Sequence, residues 1–152
     1  MATLPFKTLF IAAPVLAAAL LAGCDKVQVS DKNVEMMKDT EVLAALNDDK
    51  TIIVDIRKPE KYAAGHIPNA INIYVPTIVA LDARLANAKR IIVYGDGWTN
   101  GLSQAATKKM LALGYVGVYE FKGGIENWKD SGQQLVATGP PAVARPETSK
   151  DK

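Results

Sequence analysis

Apolar and polar positions fall in blocks along this chain, and each block has a length and period that select an element. Thr51 to Ile56 is an apolar run interrupted only by Asp55, and Arg90 to Tyr94 is a second β-branched run. Such runs are strands buried on both faces of a parallel sheet. Val116 to Phe121 predicts another strand, with shorter ones at Glu35 to Met37 and Ala70 to Ile73. Between them, apolar residues recur at helical spacing. Val42, Leu43 and Leu46 predict a helix capped by Asp39 or Thr40. Ile78, Leu81 and Leu85 predict a second. Ala106, Met110 and Leu113 predict a third over Ser103 to Leu113, stopped by Gly114. Pro59 opens a helical turn through Tyr62, and Gly123-Gly124 leads into a last helix bearing Ile125 and Trp128. Strands alternating with helices predict an α/β domain of three layers, a central, mainly parallel sheet with helices on both faces.

The two ends break this pattern. One positive charge, Lys7, precedes an apolar stretch from Leu9 to Ala22 that ends in Leu21-Ala22-Gly23-Cys24. These are the three regions of a secretory signal peptide. Pro14 interrupts the stretch, which is short beside the roughly 20 residues of a membrane span. A cysteine directly after the cut resembles the bacterial lipoprotein signal. That resemblance implies removal of residues 1–23, acylation of Cys24 as the first mature residue, and loss of its free thiol. Asp25 then looks like the retention signal of that class, which places the protein on the periplasmic face of the cytoplasmic (inner) membrane. The expected organisation is a signal peptide (1–23), a lipidated tether (24–35), a folded domain (36–136) and a disordered tail (137–152) rich in proline and charge.

Composition narrows the chemistry. Eighteen basic and sixteen acidic residues give a net charge of +2. No dense Lys/Arg cluster occurs, so the chain does not read as a nucleic-acid binder. Cys24 is the only cysteine, which excludes an intrachain disulfide, and His66 is the only histidine, which excludes a histidine-rich metal site. No metal-ligand spacing or dinucleotide-binding glycine pattern is present, and no cofactor is expected.

Asp55-Ile56-Arg57, Glu60, Tyr62, and Gly65-His66-Ile67-Pro68-Asn69-Ala70 with Asn72 resemble the N-terminal signature of rhodanese-like domains. Gly123-Gly124 with Trp128 and Gly132 resembles their C-terminal signature, and Ile91 to Tyr94 the strand that leads to their active-site loop. The resemblance spans about Met36 to Leu135. In active members the residue after that strand is a cysteine, which accepts a sulfane sulfur and passes it to a thiophilic acceptor. Here the resemblance puts Gly95 in that place. The loop Gly95-Asp96-Gly97-Trp98-Thr99-Asn100-Gly101 is longer than the simplest family pattern and resembles a variant with more residues before the helix.

A persulfide needs a sulfur atom to carry it, and glycine has none. Backbone N–H groups of the loop and the following helix terminus offer an anion cradle, which Asp96 and the lack of Lys or Arg in the loop oppose. Asp55 and Arg57, at alternate strand positions, face one side. They serve as a paired support or as ligand-positioning groups, and the support role is the more common one for such pairs. His66 reads as a neutral ring bonded to backbone, since it has no nucleophile to activate. Trp128 reads as core. Trp98 either closes the vacant pocket or forms a recognition surface.

The resulting expectation is a catalytically silent, lipid-anchored domain that binds a periplasmic or membrane protein, or a small ligand. The competing expectations are unconventional catalysis by Asp55, Asp96 or His66, and sulfur transfer through a partner's thiol. The sequence specifies no oligomeric state.

Overall fold

A computed structural model describes residues 34–139. The expected signal peptide, Cys24 and most of the tail lie outside the described residues. Two strands form the centre. β2 (Thr51–Asp55) and β4 (Arg90–Tyr94) pair in parallel along their whole length, with Thr51 opposite Arg90 and Asp55 opposite Tyr94. β5 (Val118–Phe121) lies on the other side of β4, and β1 (Glu35–Met36) forms the edge beyond it. β3 (Ile71–Asn72) forms the opposite edge against β2. The order is β1-β5-β4-β2-β3, and every pairing is parallel.

Successive side chains of a strand point to opposite faces, and this divides the core in two. Ile53, Ile92, Tyr94 and Phe121 pack on one face with Val42, Ile125 and Trp128. These last come from α1 (Asp39–Ala45) and α4 (Gly124–Asp130). Val54, Ile91, Val93 and Val118 pack on the other with Ala106 and Met110. These belong to α3 (Leu102–Ala112). The three-layer α/β reading is therefore the observed architecture. Each fully buried Ile or Val contributes about 1.5–3 kcal/mol through apolar area removed from water, and the central strands place five of them, Ile53, Val54, Ile91, Ile92 and Val93, in the core.

Two local expectations are corrected. The Ile78–Leu85 segment is not a helix. It forms two short 3₁₀ turns, Val75–Thr77 and Ala83–Leu85, with Leu81 between them at φ 55° and 95% exposed. Ile78 and Leu85 are buried as anchors. Tyr115 replaces helical bonding there: its hydroxyl donates to Val79 O at 2.9 Å and accepts from Asp82 N–H at 2.8 Å. At α1 the cap position is Lys38 rather than Asp39 or Thr40, and its N–H donates to the Glu41 carboxylate at 2.7 Å. The described residues continue past Val136 to Gly139. Thr138 N–H and Gly139 N–H both donate to Ala63 O in α2 (Pro59–Ala64), so backbone pairing extends three residues into the expected tail.

Candidate functional site

The carboxyl ends of β2 and β4 meet the loop of residues 95–101, which contains no cysteine. Asp55, wholly buried at the end of β2, accepts from the Arg57 guanidinium through both oxygens, at 3.0, 3.1 and 2.6 Å. Arg57 also donates to Gly65 O at 2.6 Å. The Tyr94 hydroxyl donates to Asp55 Oδ2 at 2.8 Å and accepts from Ile67 N–H at 3.1 Å. Burial, and then the Asp55 charge, push the Tyr94 phenol well above its usual range. Asp55 and Arg57 are thus brought together, and their bonds tie β2, β4 and the Gly65–Ile67 turn into one support.

His66 belongs to that support rather than to a catalytic pair. Its ring stacks on Tyr62 at 3.8 Å between centroids, and Nδ1 is 2.8 Å from Tyr62 O. Its backbone pairs with Val136 in both directions at 2.9 Å. It lines neither of the two clefts beside the loop.

The loop is held by α4 on one side and α2 on another, and by a bond within itself. Ile125 N–H donates to Gly95 O at 3.1 Å and Glu126 N–H to Asp96 O at 3.0 Å, which seats the loop on the first turn of α4. Gly124 makes that seat possible. Its φ is +55°, and a Cβ there would stand 2.4 Å from Gly95 O, so only glycine fits. Asn100 bridges the loop internally, donating to Asp96 Oδ2 at 3.1 Å and accepting from Leu102 N–H at 3.0 Å. Lys61, from α2, bonds both Asp96 oxygens at 2.9 Å. Below the loop, the buried Ser103 hydroxyl donates to the buried Glu120 carboxylate at 2.7 Å.

Two clefts flank the Lys61–Asp96 bridge, and Arg57, Lys61 and Asp96 line both. One, of about 140 Å³, opens over Gly95 between Ile56, Tyr74 and Leu102. The other, of about 380 Å³, runs past Gly65 and Glu126 to Lys129. Thr99 and Gly101 complete the loop rim, Gly97 packs against Glu126, and Trp98 points away with 57% of its surface exposed. Among the described residues, no group of three His, Cys, Asp or Glu side chains is placed to hold a metal, and no helix is long and apolar enough to cross a membrane.

Sequence reasoning missed Lys61 and the Ser103–Glu120 pair. Lys61 lies 35 positions from Asp96, with no local signal linking them. Glu120 did carry one: it is a lone charge inside an apolar strand, and such a residue needs a buried partner.

Comparison with known proteins agrees with this geometry. The chain is 31% identical over 112 residues to an adenylyltransferase and sulfurtransferase of Candida albicans, which covers 70% of this chain and 24% of that one. It is 36% identical over 96 residues to a tRNA uridine(34) hydroxylase of Buchnera aphidicola, covering 59% and 29%. It therefore spans about a quarter of the length of these relatives. Among solved structures, the BH2092 protein of Bacillus halodurans superposes with a TM-score of 0.65 at 30% identity, covering 70% of this chain and 80% of that one. A thiosulfate sulfurtransferase of Pseudomonas aeruginosa superposes at 0.63 with 26% identity, covering 73% and 22%. The family model for the rhodanese-like domain matches residues 38–131, and the chain belongs to that family.

Proposed function

We propose that this chain is a lipid-anchored, non-catalytic rhodanese-like domain that binds a segment of a periplasmic or membrane protein in the cleft over Gly95. The observation that carries the reading is the residue directly after β4. Gly95 follows β4 directly, where the resemblance puts the cysteine of the family's sulfurtransferases, and the chain's one cysteine, Cys24, precedes the domain. With no sulfur at the loop, no protein persulfide can form. The acid–base candidates do not replace it. Asp55 is consumed by Arg57 and Tyr94, Asp96 by Lys61 and Asn100, and His66 lies off the clefts.

The cleft over Gly95 holds about 140 Å³, below the roughly 300–1,000 Å³ of small-molecule sites, whereas the neighbouring cleft of about 380 Å³ falls inside that range. The volume over Gly95 suits one inserted side chain. The loop is pre-organised by its bonds to α2 and α4, which lowers the ordering cost of docking.

Gly95→Val tests the reading. A Cβ at Gly95 makes only ordinary contacts, the nearest 3.6 Å from Ile56 Cδ1, so the substitution starts without a clash and narrows the cleft, and a thermal melt checks that the variant folds. Affinity capture from detergent-solubilised membranes should recover a reproducible partner with the natural chain and lose it with the variant. Equal recovery with both would reject the cleft as the binding site.

A further inference from the structure

An apolar face lies beside the loop, on the edge strand where the tether joins the fold. Met36 in β1 is 64% exposed and Trp98 is 57% exposed, and both line one groove of about 420 Å³ floored by buried Phe121. Met37 completes its apolar wall. Exposed apolar surface that is contiguous, rather than scattered singly, marks an interaction site. The charges lining the groove are Lys38 and Lys122 against Asp39, a net of one positive charge. Asp39 is further held by a hydrogen bond from Ser131.

We infer that this face docks on the lipid bilayer, with Trp98 and Met36 inserted at the headgroup level. The inference rests on the lipid-anchor reading above. Its argument is where the chain leaves the fold. The described residues begin at Val34, directly before β1, so the tether meets the domain next to Met36. Fully extended, residues 24–33 reach at most roughly 35 Å, at 3.3–3.6 Å per residue. The face nearest the tether is therefore held within reach of the membrane. Tethering raises its effective concentration at the bilayer to about the millimolar range, at which a weak contact is populated. Tryptophan suits this contact, because its ring has an apolar body and a polar N–H and favours the membrane–water boundary. One net positive charge adds little attraction to anionic lipid, and insertion of Trp98 and Met36 carries the contact, so docking should persist on neutral vesicles and in high salt.

The two tryptophans make the test direct, since Trp128 is buried at 1% exposure and Trp98 is not. The acylated full-length mature protein would be reconstituted into phosphatidylcholine vesicles with bromine atoms high on the acyl chains. Flotation reports the anchor and fluorescence reports the docking. The expected result is flotation with loss of most Trp98 emission, absent from Trp98→Phe and largely reversed in Met36→Glu. Leu81→Ser, which alters an exposed leucine on a different groove, should leave the quenching intact. Protein that floats with unquenched Trp98 would overturn docking and leave the anchor standing. Trp98 shielded from aqueous acrylamide yet unquenched by bromine would show that a protein covers the face, which also overturns docking. Protein that carries no acyl chain and stays at the bottom of the gradient would overturn the anchor, and the docking inference with it.

Discussion

Lys61 Nζ stands 2.9 Å from each carboxylate oxygen of Asp96, joining α2 to the loop after β4. The pair is the wall between the two clefts and the main charge on the loop rim. Its side chains are 56% and 29% exposed, so solvent screens it and its contribution to stability is about 1 kcal/mol or less. Lys61→Ala should therefore leave the unfolding midpoint nearly unchanged. It should instead loosen the loop, seen as faster amide exchange at residues 96–101. An equal loss of global stability and loop protection would show that the bridge supports the fold rather than the loop.

Tyr94 and Asp55 predict a larger effect. Tyr94→Phe strips the acceptor from buried Ile67 N–H and a donor from buried Asp55. Leaving such groups unsatisfied costs roughly 1–3 kcal/mol, which equilibrium denaturation would read directly. The pH dependence follows from the raised Tyr94 phenol. A folded-state value above the unfolded one contributes stability that is complete below about pH 10, the unfolded tyrosine value, and is lost as pH rises beyond it. Ultraviolet titration should show the Tyr94 phenolate only as the protein unfolds. Ionisation of all five tyrosines before loss of structure would contradict the buried network.

Gly124→Ala should damage the loop and the fold together. The position needs φ +55°, and the added Cβ would sit 2.4 Å from Gly95 O and 2.9 Å from the Asp96 carbonyl carbon. The left-handed conformation alone costs about 1–2 kcal/mol for a residue with a Cβ, and the clash displaces backbone rather than a flexible side chain. A loss of more than about 2 kcal/mol is expected. A neutral substitution would mean that the α4 turn can shift away from the loop freely.

The central sheet was legible because its signal is local and redundant. Ile52 to Val54 and Ile91 to Val93 read as strands, and the same residues alternate between the two faces of the core. The helical reading of Ile78, Leu81 and Leu85 failed because burial at two of three positions does not require a helix. Its backbone partners come from Tyr115, more than 30 positions away, and no periodicity reports that. The site divides in the same way. Asp55 and Arg57 are two positions apart and their pairing could be read from strand geometry, whereas the Lys61–Asp96 bridge depends on how α2 packs beside the loop. Trp98 was undecided between pocket plug and surface, since one apolar residue in a loop carries no period. The fold places it outside the cleft over Gly95.

The activity prediction closes on Gly95. The natural chain should transfer no sulfur from thiosulfate to cyanide above the uncatalysed rate, because no thiol is available at the loop. Gly95→Cys supplies one in a position that accepts it: the new Cβ would lie 3.6 Å from Ile56 Cδ1 and 3.9 Å from Ser103 Cβ, both ordinary contacts. Of the three cations lining the cleft over Gly95, Arg57 is matched by Asp55 and Lys61 by Asp96, so only Lys58 is left to favour the thiolate. Alkylation by iodoacetamide should show a midpoint near the ordinary thiol value of about 8.5, with weak sulfur transfer. Adding Asp96→Asn releases the Lys61 charge to the thiolate. The double variant should alkylate at lower pH and transfer faster than Gly95→Cys alone. If the two variants behave alike, Lys61 does not reach the Gly95 position. Robust turnover by the natural chain carrying Cys24→Ser would overturn the non-catalytic reading altogether.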